Sequence, residues 1–164
     1  MTVFTVTDEE YALISADLMR VQMYLTARGA ADDTRDRKVI REALTLAAIV
    51  SYCRPFTPGR DAKRKFRHRI PAQLVEDLPS EHQRTHNRLL KARNQAWAHT
   101  DWAAHTPHGY SDDTGAFAVL SRNPWVSLDP SEIAEFEGLL REVNARLQPT
   151  SAAQSPDRRE RKDP

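Results

Sequence analysis

The sequence predicts an all-α fold: an up-and-down bundle of four main helices, with a short insertion before the last that has room for a small β-hairpin. Three observations carry this. Apolar residues recur at alternating spacings of three and four over long stretches, which lines one face of an α-helix. Two of those stretches open on an oxygen-bearing side chain with a glutamate three positions later, a helix-start signature. Gly29 and Pro55 close the first two stretches, as residues that end helices should.

Thr7, followed by Asp8, Glu9 and Glu10, opens the first helix with a hydroxyl cap and negative charge in the first turn. Tyr11, Ile14, Leu18, Val21 and Leu25 then mark its inner face, and the helix is expected over residues 8–28. Thr34 and the charges beside it restart the chain. Residues 34–54 carry charge in their first half and Val39, Ile40, Leu44, Leu46, Ala47, Ile49, Val50 and Cys53 through the remainder, so this helix should dive into the core as it proceeds. The prolines at 55, 58 and 71 bound an expected long loop, and "PAQLVEDLP" reads as a short helical turn packing Leu74, Val75 and Leu78. Ser80 and Glu81 open a third long helix that runs to about His99, with Leu89, Leu90, Ala92, Ala96 and Trp97 as its apolar part. After it, "AAHTPHGYSDDTG" reads as loop, and "AFAVL" and "WVSL" flank "SRNP" as a candidate hairpin. Asp129, Pro130, Ser131 and Glu132 combine an Asp cap, a proline at the first helical position and an acid three on. Ile133, Phe136, Leu139, Leu140, Val143 and Leu147 trace the buried face of that last helix. Residues 1–149 are thus expected to form one helical domain. Residues 150–164 have no apolar periodicity and read as a disordered, charged tail.

The composition suits a globular chain. It has 164 residues, 40% of them hydrophobic and 29% charged, with a formal net charge of +1; that is one core's worth of chain and no polycation. Any nucleic-acid contact must therefore come from where charges sit. Cys53, the sole cysteine, excludes an internal disulfide framework and a cysteine-based zinc site, and it suits a reducing compartment. The first residues lack a basic stretch followed by an apolar run, and no segment approaches the ~20 apolar residues of a membrane span. The expectation is a cytoplasmic protein with no membrane partner.

Three places carry side chains with chemistry. Arg60, Lys63, Arg64, Lys65, Arg67 and Arg69 put six cations in ten residues against one acid, Asp61, with Phe66 and His68 interleaved. Such a patch suits a phosphate backbone and a stacked base; a solvated loop accounts for it equally. His82 and His86, one helical turn apart, have the spacing of a zinc pair, with His99, Asp101, His105 or His108 as a third ligand. Gln83, Arg84 and Thr85 between them supply no glutamate, and Arg84 and Arg88 repel a cation, so polar contacts at a surface or interface explain the pair better. The third place is "KARNQAWAHTDW", residues 91–102. On a regular helix Arg93 and His99 point about 120° apart. They converge only if the helix frays or a second chain completes the site; otherwise Arg93 is a solvent arginine and His99 a helix-end histidine favoured by the macrodipole.

An arginine, a polar residue, and a histidine after a four-residue gap near the end of a helix, here Arg93, Asn94 and His99, resemble the motif of the HEPN superfamily, helical domains of many RNA-cutting toxins and defence proteins. "SYCRPF" at the end of the second helix and "HNRLLKARNQAWAHTD" are similar to a HEPN-like branch of small bacterial proteins, and the likeness in helix order spans about residues 8–148. The resemblance implies a homodimer whose two copies each give an arginine and a histidine to one cleft, with no metal and no cofactor. In that scheme His99 moves the proton of a ribose 2′-OH, Arg93 stabilises the charge on the phosphate, and Asn94 orients the phosphate or the histidine. The products would carry a 2′,3′-cyclic phosphate and a 5′-hydroxyl, and the cations from Arg60 to Arg69 would gather the RNA. A toxin, phage-defence or stress role follows, with an antitoxin or another defence-system protein as partner. Asp101 stands where a family branch has a tyrosine that is adenylylated, so that control is expected to be absent. Tyr52, Arg54, His86 and Asp101 are candidates for the wall of the RNA cleft. The plainer expectation is that Tyr52 and Phe56 pack between helices, that Arg54 is a structural hydrogen-bonder, and that Cys53 is a small core residue. Two other functions stay open: a non-catalytic HEPN-like dimer that binds RNA or protein, and a metal enzyme built on His82 and His86.

Overall fold

Local chemistry starts the helices where the sequence places them. In the computed structural model of the chain, residues 2–31, 35–57, 59–60, 66–67, 70–97, 106–111, 117–122 and 128–153 are described. The Thr7 hydroxyl accepts from the Glu10 amide and the Glu10 carboxylate accepts from the Thr7 amide, each at 3.2 Å. This reciprocal pair satisfies two of the donors that a helix start leaves unpaired, and α1 runs Asp8–Ala30. Gly29 lies inside the last turn instead of beyond it, one of the small shifts that helix ends allow. α2 spans Arg35–Cys53 and passes into a single 3₁₀ turn, Arg54–Phe56, as Pro55 removes the next helical donor. After a short helix α3, Ala72–Glu76, α4 covers Ser80–Trp97. Asp129 and Glu132 repeat the reciprocal cap at the start of α5, Pro130–Ala145.

The four long helices close a ring: α1 packs on α2, α2 on α4, α4 on α5, and α5 back on α1. The fold is an all-α bundle with a small insertion, as the sequence predicts. Ile14, Leu18, Val21 and Leu25 of α1 face inward against Ala48, Ile49, Tyr52 and Cys53 of α2, Leu89 of α4, and Phe136, Leu139, Leu140 and Val143 of α5. Val39 and Ile40 depart from expectation. They are 67% and 51% exposed, because α2 enters the core only from Thr45 onward. Gly138 marks the close approach of α5 to α4: a Cβ there would stand 3.4 Å from His82 Nε2.

Three strand pairs accompany the helices among the described residues. β1, Phe4–Val6, lies parallel to β6, Leu147–Pro149, with Phe4 opposite Leu147. The sequence shows no sign of this pair, and Leu147 belongs to it, not to the last helix. The expected tail also starts inside the fold. Thr150–Ala153 form the turn α6; the Thr150 hydroxyl donates to the Val6 carbonyl at 2.9 Å and the Ser151 amide to Asp8 at 3.0 Å. Residues 154–164 lie outside the described part. β2, Gly59–Arg60, and β3, Phe66–Arg67, pair antiparallel where a plain loop is expected, and the Ile70 amide closes the segment on the Pro55 carbonyl at 3.1 Å. The second hairpin pairs β4, Thr106–Ser111, with β5, Phe117–Arg122. Phe117–Leu120 of the expected hairpin are thus in a strand, but the partner precedes them, and residues 125–127 of the expected second strand lie outside the described residues.

Candidate functional site

α4 carries two polar positions seven residues apart, His86 and Arg93, which two helical turns set on the same face. They meet different surroundings. His86 is 4% exposed. Its Nδ1 lies 2.9 Å from the Tyr52 hydroxyl, and Tyr52 is fully enclosed. Phe56 stands edge-on to the imidazole at 4.7 Å between centroids, and Tyr52 packs on Phe56 at 4.9 Å and on Phe136 at 5.3 Å. Burial pushes the Tyr52 phenol well above its ordinary range and lowers His86 to about 4; both groups are neutral at pH 7. A buried phenol that stays protonated must donate its hydrogen. His86 Nδ1 is the acceptor, so the ring's proton sits on Nε2.

Arg93, half-buried at the end of α4, donates from Nη1 to the exposed Asn94 Oδ1 at 3.0 Å. Its charge also acts on Cys53: burial raises that thiol to about 12, with Arg93 pulling the other way. Cys53 is therefore a protonated core residue and no nucleophile at neutral pH. The structure brings Arg93 and Asn94 together. His99 and Asp101, the other members of the motif region, lie outside the described residues, as do His105, Lys63, Arg64, Lys65 and Arg69. Arg60 and Arg67 have their backbones in β2 and β3, Arg60 opposite Phe66 and Arg67 opposite Gly59.

The remaining candidates have structural surroundings. Tyr52 belongs to the aromatic core. Arg54 donates to Asp17 at 3.4 Å, a carboxylate partner where backbone carbonyls are expected. Arg20 meets the same oxygen at 3.1 Å, and the Asp17 side chain is only 4% exposed. His82 and His86 do not act as a pair. Forty degrees of helical rotation between them sends His86 toward Tyr52 and His82 toward Gly138, where His82 Nδ1 is buried with no hydrogen-bond partner among the described residues. His86 is buried where a surface or interface contact is expected, while His82 is half-buried. Among the described residues no group of three His, Cys, Asp or Glu side chains is arranged to hold a metal ion, and no described helix is long and apolar enough to cross a membrane.

His86 also lines a cleft of about 680 Å³ between the start of α1, the 3₁₀ turn and α3. Sequence reasoning missed this cleft because Thr150 and Thr5, from opposite ends of the chain, form one wall. No family model, curated protein or solved structure matches this chain.

Proposed function

We propose that the chain is a metal-independent endoribonuclease of HEPN type, cutting RNA at a site completed by two copies. The observation that supports it is the Arg93–Asn94 contact at the end of α4, six residues before His99. Asn94 limits the guanidinium's rotamers, and a guanidinium held by one neighbour still has donors to offer a phosphate. The imidazole of His99 is the proton carrier in this reading, and pairing of two copies overcomes the angle between the two side chains. Cations from Arg60 to Arg69 gather the RNA, and the product ends are a 2′,3′-cyclic phosphate and a 5′-hydroxyl. A toxin or defence role with an antitoxin-like partner belongs to the same reading.

Purified protein incubated with single-stranded RNA in EDTA should cut it. His99→Ala should lower the rate by about 10²-fold or more, as loss of a general acid–base does, and Arg93→Ala by a similar factor. Equal cutting by wild type and His99→Ala would overturn the proposal. A second reading has support in the same contact. Since Asn94 is turned to Arg93, the pair also suits a dimer that grips RNA or protein without cleaving; salt-sensitive RNA retention that survives His99→Ala, with no cleavage by wild type, selects it.

A further inference from the structure

We propose that the outer face of α1 is an interface between two copies of this chain, packed antiparallel about a twofold axis at the level of Val21. This goes beyond the ribonuclease reading and does not rest on it. α4, which carries Arg93 and Asn94, stands across the helical ring from α1, so this contact does not complete that site.

α1 carries two stripes. Ile14, Leu18, Val21 and Leu25 lie in the core. Ala12, Ala16, Met19, Met23, Thr26 and Ala30 form the other, spaced alternately by four and three as in the seam of a helix pair. At ~100° per residue its centre lies roughly 150° around the helix from the core stripe. It meets solvent: Met19 and Met23 are 63% and 62% exposed, and of the other four only Ala16 is half-buried. Met19, Met23, Thr26 and Ala30, with Gln22 and Ala27, line a shallow groove of about 430 Å³. No charge stands in the stripe, although 29% of the chain is charged. A helix that is apolar on opposite sides is suited to burial on both, and methionine adapts its shape to a partner surface.

The occupant is a second copy, because the stripe is a palindrome of side-chain size. Read from either end it runs small, small, Met, Met, small, small. Antiparallel packing sets Ala12 beside the partner's Ala30, Ala16 beside the partner's Thr26, and Met19 beside the partner's Met23. A twofold contact requires this self-complementarity. Charge agrees with it: an uncharged face meets an uncharged face, and Arg20 at the edge is drawn back to Asp17 at 3.1 Å. Area sets the strength. Residues 12–30 span about 27 Å of helix, and a stripe about 10 Å wide covers roughly 300 Å² per copy. That is below the ~800 Å² per partner of a standard stable complex, so the dimer is weak, with a Kd on the order of 100 µM.

Sedimentation equilibrium of the full-length chain, from about 5 µM to about 1 mM, should show reversible monomer–dimer exchange in that range. Met19→Lys and Met23→Glu change exposed positions, so each should keep the wild-type circular dichroism while weakening self-association at least tenfold. An equimolar mixture of the two variants should recover the dimer. Antiparallel packing sets the new ammonium beside the new carboxylate and leaves a methionine pair in the other layer; parallel packing separates the two charges and gives no recovery. A wild type that stays monomeric at the highest concentration means that this face is bare or serves a different protein. Dimerisation indifferent to both variants places the contact on another face. Either result, or a mixture that fails to recover, would overturn the proposal.

Discussion

Of the polar groups buried among the described residues, the Tyr52–His86 pair and Asp17 are handled differently. Tyr52 and His86 meet as neutral partners inside an aromatic cluster, both almost without exposure. Asp17 brings a carboxylate inward, yet the arginines that reach it, Arg20 and Arg54, keep about half of their side chains in solvent. The first arrangement avoids the cost of burying charge by keeping both partners neutral. The second buries only one member and lets the cations stay hydrated, which limits the desolvation that makes fully buried ion pairs unfavourable. The lesson is that stability at the neutral pair should respond to protons and packing, while stability at the charged one should respond to salt.

The largest expected effect breaks the neutral side. Tyr52→Ala removes a fully enclosed ring from contact with Phe56, His86 and Phe136 and should cost about 3–5 kcal/mol in urea unfolding. Acid comes next. His86 titrates at about 4 in the fold against its ordinary 6.5, so between those values the unfolded chain binds more protons. Stability from this group is complete above pH 6.5 and is lost as pH falls toward 4, by at most ~3 kcal/mol; unfolding midpoints measured from pH 7.5 to 4.5 should trace that limb, and His86→Phe should flatten it. Tyr52→Phe sharpens the same comparison. It keeps the packing and strands the imidazole acceptor, at a cost of about 1–3 kcal/mol. On the charged side, Asp17→Asn should cost about 1–2 kcal/mol in low salt. The difference from wild type should shrink in 1 M NaCl as the half-exposed arginines are screened, whereas the Tyr52→Phe difference should not move. The smallest effect serves as a control. Thr7→Ala removes a cap that is bonded to Glu10 and to neither group and should cost about 1 kcal/mol, independent of salt.

Legibility in the sequence followed the range of the interactions. Thr7 with Glu10, and Asp129 with Glu132, announce their helices because cap and partner lie three residues apart. Ile14, Leu18, Val21 and Leu25 announce a buried face because one helix sets their spacing. His86 was visible as half of a histidine pair with His82, but its acceptor role was not, since Tyr52 lies 34 positions away. Arg54 was legible as a structural hydrogen-bonder, while Asp17, its partner, carried no signal in a helix of otherwise ordinary periodicity. Of the proposed catalytic set, the Arg93–Asn94 contact was not legible: the sequence pointed Asn94 at the phosphate or the histidine, and consecutive side chains on a helix do not ordinarily face each other.

The sequence by itself determined where the long helices begin, which faces they bury, and that a single core forms, because those features depend on backbone hydrogen bonds and side-chain periods within a few residues. Only the tertiary structure decided that the chain's two ends pair in parallel, that His86 is neutral and enclosed, and that a cleft opens beside it. Each of those depends on groups brought together across the whole chain, where proximity is set by packing and no local pattern records it.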